Sequence, residues 1–319
     1  MLRHLPAWEA EAHLPPVSSW VELARSALSA LVDGTAEMPP KLSLHPRPGA
    51  SLEAMPCWHR PAQIAGMKWI ADVASNRDRG LPSVHGLIVL NDAETGVPEW
   101  IMDAGAITAA RTAGVSGLAI DLLAAPEART ATILGAGVQA CSHLRILAQL
   151  RPGARVTVFT PNTASAERFA GWASEQPGIA QVKVAGNARD AVAEAEIVIS
   201  AAALDAGAQV MRADWVRRDS LVVAVDDDTY VSGPLASEAA AFVIDDRAQF
   251  DAFRARGAFT GYPDPTATLG QLASGTTVDL LRGSPVVATS LGCAVVDMVF
   301  ADAVRVSADA AGTGTELAG

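Results

Sequence analysis

The most constraining feature of the sequence is a glycine turn placed between an apolar strand and a helix. Residues 130–134 (TATIL) predict a short strand, a GxGxxA turn follows, and residues 141–150 predict a helix. In this context the first glycine permits a tight turn, the second allows a pyrophosphate to approach, and the small third residue lets helix and strand pack. The helix dipole favours the phosphate charge. We therefore predict a dinucleotide site formed by Gly135, Gly137, Val138, Gln139 and Ala140.

The segments that follow this turn alternate between strands and helices. Further strands are predicted at 155–160, 181–185, 196–202, 220–226 and 241–246, and helices at 163–175 and 188–195. This alternation is typical of parallel βαβ units with right-handed crossovers. We therefore expect an α/β fold with a Rossmann-type, doubly wound domain at residues 121–289.

The first 120 residues have a different pattern and predict a second α/β domain. Its predicted helices are 17–33 and 104–124, and its predicted strands are 63–73, 84–91 and 99–102. The last two strands flank a turn and predict a hairpin. Residues 39–49 are rich in proline and predict turns. Beyond the Rossmann segment a helix is predicted at 289–310, and the final residues are expected to be unstructured.

Composition and charge exclude several classes of partner. The 319 residues carry 24 basic and 35 acidic side chains, a net charge of −11. Nucleic acids and anionic membranes bind basic surfaces, so neither is expected as a partner. We find no apolar run of membrane-spanning length and no N-terminal signal peptide, and three scattered cysteines indicate a cytoplasmic protein. No histidine or cysteine pair has metal-ligand spacing, so no metal is expected.

The end of the second Rossmann strand bears on the choice of cofactor. NAD-selective sites usually have Asp or Glu at this position, where it binds the ribose 2′-hydroxyl. Here the strand ends at Thr160, Asn162 and Thr163 follow, and no acidic residue is present. A carboxylate would repel a 2′-phosphate, so its absence favours NADP(H) over NAD(H), with these side chains as phosphate donors. If they are ordinary turn residues, both cofactors would bind.

Several blocks outside the glycine turn resemble one known family. They are GMKWI (66–70), NRDRGLP (76–82), LIVLNDAETGVP (87–98), MDAGAITAARTA (102–113) and SLGCAVVDMVFADAV (290–304). Together with the glycine turn, they are similar in content and order to the ornithine cyclodeaminase/mu-crystallin family over nearly the whole chain. The resemblance implies that residues 290–319 complete the domain of residues 1–120, that this domain forms a homodimer, and that the active site involves both domains.

The resemblance also implies roles for individual residues of the first domain. Lys68 matches the family's active-site lysine, and Arg111 matches an arginine whose guanidinium fork suits a carboxylate. Thr112 beside it is expected to contact the substrate carboxylate or the nicotinamide. Lys41 stands where cyclodeaminases have an arginine, and Glu53 where they have a glutamate that faces the substrate's distal amine. The plain alternatives are a surface lysine with a buried stem for Lys68 and a helix-surface ion pair for Arg111.

A third family motif is incomplete in this chain. Residues 224–235 (AVDDDTYVSGPL) lie where cyclodeaminases have a catalytic aspartate, and Asp228 falls at that position. Three consecutive carboxylates are expected to raise one another's pKa, which suits proton transfer. The alternative is a solvated Asx-rich turn. A glycine and a glutamate of the family pattern are absent. The choice among Asp226, Asp227 and Asp228 therefore stays open, and a cyclodeaminase reaction is less favoured.

The resemblance implies an enzyme, an NAD(P)H-dependent oxidoreductase that acts on the C–N bond of a small amino or imino acid. The expected reaction is imine or ketimine reduction, or amino-acid dehydrogenation. One alternative is a cyclodeaminase of the ornithine or lysine type, which releases ammonia and recycles NAD. A second alternative is a non-catalytic, nucleotide-binding protein like mu-crystallin.

Overall fold

The computed structural model describes residues 1–202, 208–278 and 283–317, with the backbone alone at residue 77. The α-helices in these ranges are α1 (Ala7–Ala12), α2 (Trp20–Val32), α3 (Gly105–Leu123), α4 (Val138–Leu150), α5 (Thr163–Ser174), α6 (Ala188–Val192), α7 (Gly233–Glu238), α8 (Arg247–Ala255), α9 (Leu269–Ala273) and α10 (Ala294–Ala311). The strands are β1 (Arg3–Leu5), β2 (Ala36–Glu37), β3 (Leu42–Arg47), β4 (Ala50–His59), β5 (Ile64–Val73), β6 (Val84–Asp92), β7 (Pro98–Asp103), β8 (Thr130–Leu134), β9 (Ala154–Phe159), β10 (Ile179–Val184), β11 (Ile197–Ser200), β12 (Leu221–Ala224), β13 (Ala241–Ile244), β14 (Ala267–Thr268), β15 (Val286–Thr289) and β16 (Thr315–Glu316).

The chain divides into two compact units. The first consists of Met1–Arg111 and Cys293–Gly319, and the second of Thr112–Gly292. The sequence pattern placed these boundaries at residues 120/121 and 289/290. In the structure the first boundary falls inside α3, so a single helix contributes to both units.

The first unit is built on one eight-stranded sheet. Its order is β16-β1-β7-β6-β5-β4-β2, with β3 paired to β4. Strands β1 and β7 are parallel and the other pairs are antiparallel. The predicted hairpin is confirmed, because β6 pairs with β7 in a register that places Leu90 opposite Trp100. Helix α10 packs against β4, β5 and β6 on one face of this sheet.

Parts of this sheet were not predicted from local pattern. Strand β3 contains Pro46, and proline is usually excluded from strand interiors, so the sequence predicts turns over residues 39–49. The sequence pattern predicts no element over β4, which contains Pro56. Strand β4 nevertheless pairs with β5 over its whole length. The expectation of an unstructured C-terminus is wrong for β16, which pairs with β1.

The second unit has the predicted Rossmann architecture. Its sheet has the order β10-β9-β8-β11-β12-β15-β13-β14, and every pair is parallel. Strands β11, β12 and β13 are buried at every residue, as expected for strands covered on both faces. The strand order reverses between β8 and β11, and ligands of doubly wound sheets bind at such a switch point. Strand β8 leads directly into the glycine turn.

Helix α3 is both long and apolar. It has 19 residues and a mean hydropathy of 1.3, so by length and composition it could cross a membrane, contrary to our expectation that no such segment exists. However, 83% of it is buried inside the protein. Its apolar composition is therefore accounted for by its place in the core.

Candidate functional site

Lys68 occupies a buried position in the middle of the first unit's sheet. It lies on β5 between Met55 of β4 and Ile88 of β6, and it has no exposed surface. Two residues earlier on the same face, a Cβ atom at Gly66 would lie 2.8 Å from the sulfur of Met298 on α10. It would also lie 2.3 Å from the backbone oxygen of Val89 on β6, so only glycine fits at this position. On α10, Asp297, the neighbour of Met298, contacts Lys68.

Three charged side chains converge here, and one of them was not predicted. Lys68 Nζ donates a hydrogen bond to Asp297 Oδ1 at 2.8 Å. Arg111 Nε lies 2.9 Å from the same oxygen as an ion pair, although its N–H is not aligned as a hydrogen bond. Lys68 and Asp297 are fully buried and Arg111 is 6% exposed. The structure therefore brings Lys68 and Arg111 together through Asp297.

The buried triad of Lys68, Arg111 and Asp297 carries an excess positive charge. Two cations face one carboxylate, and burying an uncompensated charge is costly. The second oxygen of Asp297 is also buried and has no hydrogen-bond partner among the described residues. A ligand carboxylate would balance the charge and supply hydrogen-bond acceptors to both cations. The triad thus has the chemistry of an anion site.

Burial sets the protonation of Lys68. It lowers the pKa of this ammonium from 10.5 to about 8, and the charge of Arg111 acts in the same direction. The charge and hydrogen bond of Asp297 act against both. The nitrogen can therefore be protonated in neutral solution and still release its proton within a physiologically relevant range.

Lys41 and Glu53 form a second ion pair close to the triad. Lys41 Nζ lies 3.1 Å from Glu53 Oε2, and their side chains are 10% and 18% exposed. The charge of Lys41 also lowers the pKa of Lys68. Thr112, the fourth residue that the resemblance assigns to substrate binding, is buried next to Arg111 on α3.

Asp297 could have been suspected from sequence. It is the only charged residue in the apolar run CAVVDMVFA of residues 293–301. An isolated carboxylate in a segment that must be buried needs a partner. Its position on α10 is 229 residues from Lys68, so local pattern gave no indication of which partner it finds.

The glycine turn of the second unit has different constraints at its two glycines. Gly135 has a φ of +109°, and a Cβ there would lie 2.4 Å from the carbonyl oxygen of Ala201. At Gly137, the N-cap of α4, a Cβ would meet no atom within 4 Å. The protein itself thus requires Gly135, whereas the space beside Gly137 is open to a ligand. No side chain caps this helix, and Val138 is 71% exposed.

The other two residues predicted at this turn, Ala140 and Gln139, differ in their surroundings. Ala140 is fully buried, as the small third position of the motif requires. The side-chain oxygen of Gln139 is buried and has no hydrogen-bond partner among the described residues. These features suit a pyrophosphate at the amides that begin α4.

The end of β9 presents donors and no acid. Thr160 is half-buried, and Asn162 and Thr163 are exposed where α5 begins. The Asn162 side-chain oxygen caps the helix by accepting from Ser165 N, which leaves its NH₂ group as the donor. Arg168, not predicted from sequence, reaches back one turn and donates to Ser165 Oγ at 2.9 Å. A guanidinium therefore lies beside the predicted phosphate donors.

The three aspartates that follow β12 have different environments. Asp228 is buried and its Oδ2 accepts from the backbone N–H of Phe259 at 2.8 Å. Asp226 Oδ2 accepts from Ser200 Oγ and Ala202 N, while its buried Oδ1 has no hydrogen-bond partner among the described residues. Burial raises the pKa of Asp226 to about 7, and the charge of Asp227 contributes least. The expected like-charge repulsion is thus a minor cause.

No group of three His, Cys, Asp or Glu side chains that could bind a metal ion occurs within residues 1–202, 208–278 and 283–317.

The sequence is similar to those of known proteins over almost the whole chain. The family model described as "Ornithine cyclodeaminase/mu-crystallin family" matches residues 10–312. The chain is 32% identical over 305 residues to the nodulation efficiency protein NfeD of Rhizobium meliloti, covering 94% of this chain and 93% of that protein.

Two solved structures share the fold over nearly their whole length. One is the Delta(1)-pyrroline-2-carboxylate reductase of Thermococcus litoralis in complex with NADH and L-proline, with a TM-score of 0.87, 25% identity and coverage of 99% and 100%. The other is an archaeal alanine dehydrogenase dimer with bound NAD, with a TM-score of 0.88, 25% identity and coverage of 99% of each chain.

Proposed function

The chain belongs to the ornithine cyclodeaminase/mu-crystallin family, and from that premise we propose that it is an NAD(P)H-dependent oxidoreductase acting on the C–N bond of a small amino or imino acid. The observation that carries the proposal is the buried Lys68–Arg111–Asp297 triad with its excess positive charge. Relatives that reduce pyrroline carboxylate or oxidise alanine, by their names, act on compounds with one α-carboxylate.

We propose that the substrate carboxylate binds to Arg111 and Lys68. A carboxylate there brings the buried charges of the triad to balance, which a neutral ligand would not do. The Lys41–Glu53 pair is already balanced and so favours a substrate whose remaining part is neutral. Thr112 adjoins the carboxylate site along α3. An imino acid with one carboxylate and an uncharged side chain satisfies these conditions.

A nicotinamide cofactor held at the glycine turn of residues 135–140 would supply the hydride for the carbon of the C=N bond, or would accept it in the reverse direction. The nitrogen then needs one proton to become an amine. The Lys68 ammonium donates a hydrogen bond to that nitrogen and polarises the bond. The resemblance points to Asp228 for proton transfer. We propose Asp226 instead, because its buried Oδ1 accepts no hydrogen bond among the described residues and burial raises its pKa to about 7.

We further propose NADP(H) in preference to NAD(H). The described end of β9 carries Asn162, Thr163 and the Arg168 guanidinium, and no carboxylate that would repel a 2′-phosphate. The glycine-turn residues Gly135, Gly137, Val138, Gln139 and Ala140 would bind the pyrophosphate. The solved neighbours contain NADH and NAD, so this preference is a property proposed for this chain's own residues.

We propose a homodimer that works in the cytoplasm on a small-molecule substrate. Dimerisation is supported by the alanine dehydrogenase neighbour, which is described as a dimer. A reducing compartment is supported by Cys57, Cys141 and Cys293, which are all free thiols.

The proposal is tested by following NADPH absorbance at 340 nm with a panel of cyclic imino acids, and with 2-oxo acids plus amines. We expect cofactor oxidation with monocarboxylate imines. Replacing Lys68→Met or Arg111→Met lowers kcat/KM about 10²-fold or more, because each loses a charged contact to the substrate. Cofactor affinity, measured by fluorescence titration, stays unchanged because neither residue belongs to the second unit.

Lys183→Met is the matched control, since Lys183 is an exposed lysine on β10. It should keep wild-type kinetics. Normal turnover in both site variants would overturn the site assignment. Ornithine and lysine with NAD are assayed in parallel for ammonia. Ammonia release without net cofactor oxidation would establish a cyclodeaminase, and cofactor binding without any turnover would establish a non-catalytic protein.

A further inference from the structure

Asp297 is a carboxylate in the buried core, where a charge without a partner would be strongly destabilising. It lies in the first turn of α10, has no exposed surface, and is flanked by Val296 and Met298 in the core. The helix N-terminus favours a negative charge there by a modest amount, well below the cost of burying it. Its retention therefore depends on the two cations that it contacts.

One oxygen of Asp297 joins cations from two separate elements. Lys68 comes from β5 and Arg111 from α3, and both contact Oδ1, at 2.8 and 2.9 Å. Arg111 approaches through Nε, and no other carboxylate of the described residues lies within ion-pair distance of it. Its two Nη groups are therefore the part of the guanidinium that can meet a substrate carboxylate.

We propose that Asp297 is a positioning residue that keeps Lys68 protonated and orients the Arg111 guanidinium toward the substrate. The inference rests on the proposed function for its catalytic meaning, but the effect of Asp297 on the protonation of Lys68 can be measured without substrate.

The charges around Lys68 determine how its pKa should change when Asp297 is neutralised. Arg111 of α3 and Lys41, which precedes β3, oppose protonation, while Asp297 of α10 supports it. Further titratable groups in this region are Glu53, paired with Lys41, and the thiol of Cys57 on β4, whose pKa is raised to about 12 by burial and by the charges of Asp297 and Glu37. Burial is the largest cause lowering the pKa of Lys68. When Asp297 is neutralised, burial and the two cations still lower the pKa of Lys68 and the carboxylate no longer raises it. Lys68 therefore loses its proton at lower pH.

The test measures the titration of Lys68 directly, without substrate. The chain has only three lysines, Lys41, Lys68 and Lys183, so ¹³Cε-lysine labelling gives three NMR signals that Lys→Arg variants assign. In wild type we expect a midpoint near 8 for Lys68. Asp297→Asn should move it down by about one pH unit or more. Asp297→Glu, which restores the charge, should return it toward the wild-type midpoint.

Asp302→Asn is the matched control. Asp302 is another aspartate of α10, paired with Arg305 at 2.7 Å, and its loss should leave the Lys68 midpoint unchanged. An unshifted Lys68 midpoint in folded Asp297→Asn overturns the proposal. If Asp297→Asn does not fold, the Asp297→Glu protein decides. Its Lys68 must titrate within about half a unit of wild type, and a fall as large as that expected for loss of the charge overturns the proposal.

The pH profile of turnover separates positioning from a merely structural role. With the imine substrate, the alkaline limb of kcat/KM for Asp297→Asn should shift to lower pH by the same amount as the NMR midpoint. A uniform loss at every pH, without a shift, would indicate a structural residue and contradict the proposal. Because the NMR titration needs no turnover, it still decides the Lys68 question if the proposed reaction is wrong.

Discussion

At the scale of single residues, burial decides which groups can do chemistry. Lys68 and Asp226 have ordinary sequence contexts, yet burial moves their pKa values toward neutrality from opposite directions. The lysine pKa falls to about 8 because the charged form loses solvation, and the aspartate pKa rises to about 7 for the same reason. Groups with such values suit proton transfer at neutral pH.

Asp226 leads to a prediction for stability against pH. Its folded pKa of about 7 lies above the ordinary value of 3.8, so the folded protein binds the proton more tightly than the unfolded chain. Its stabilising contribution is therefore complete below about pH 4 and is lost as pH rises through 7. Asp226→Asn is neutral throughout and should be more stable than wild type at pH 8 by about 2 kcal/mol, after a discount for residual solvation.

Urea unfolding at pH 5, 6, 7 and 8 measures this difference. Asp228→Asn is the control, because an asparagine oxygen can still accept the Phe259 N–H bond. A stability difference that does not grow with pH would contradict the Asp226 assignment. In the imine assay Asp226→Asn should lower kcat about 10²-fold. A loss confined to Asp228→Asn would return the proton-transfer role to Asp228.

At the scale of elements, the β8–α4 turn separates what the fold requires from what a ligand requires. Gly135 needs its positive φ and its close contact with Ala201, whereas nothing in the protein restricts a side chain at Gly137. A similar division exists on α5, where Asn162 caps the helix and Arg168 reaches back toward its start. Under the proposed function, each element therefore has one position that the fold requires and one that would contact the cofactor.

Variants at these two elements should therefore separate cofactor binding from stability. Gly137→Ala should weaken NADPH and NADH alike, about tenfold or more, because a methyl group occupies the space beside the pyrophosphate amides. Arg168→Ala should weaken NADPH alone, by about tenfold, through loss of a contact to the 2′-phosphate. Fluorescence titration with each cofactor measures both effects.

Gly135→Ala provides the contrast, since it should lower the melting temperature by several degrees through strain at φ > 0 and contact with a carbonyl oxygen. Gly137→Ala and Arg168→Ala should melt within about one degree of wild type, because neither changes buried packing. Equal loss of both cofactors in Arg168→Ala would refute the 2′-phosphate assignment.

At the scale of the whole molecule, the outer face of the first unit's sheet is unusually apolar. Trp69 and Leu87 pair across β5 and β6 and are 36% and 45% exposed, on the face opposite Lys68. Leu42 and Leu44 of β3 are 65% and 60% exposed. Exposed apolar surface of this extent is typical of a binding face.

We therefore expect light scattering to give twice the mass of the chain, with this face buried between two copies. Leu87→Glu should shift the particle toward the monomer, because a buried charge without a partner destabilises an interface. Val32→Glu, at an exposed valine of α2, is the control and should remain dimeric. A monomeric wild type, or a Leu87→Glu dimer of unchanged affinity, would contradict this arrangement.

The sequence by itself determined the features that depend on neighbouring residues. Strand–helix alternation, the glycine turn and the β6–β7 hairpin are local patterns, and the structure confirms them. Lys68 and Arg111 were found because each lies within a short block that resembles the family. Local pattern failed at β3, where prolines predict turns but the segment pairs with β4 as a strand. It gave no prediction for β4, which pairs with β5.

Only the tertiary structure decided which charges meet and which are buried. Asp297 lies 229 residues from Lys68 along the chain, and no local pattern encodes that contact. The same holds for the three aspartates after β12, which are identical in type but differ in burial and hydrogen bonding. Local conformation follows from steric limits within a few residues, whereas solvation and charge pairing depend on what long-range packing places nearby.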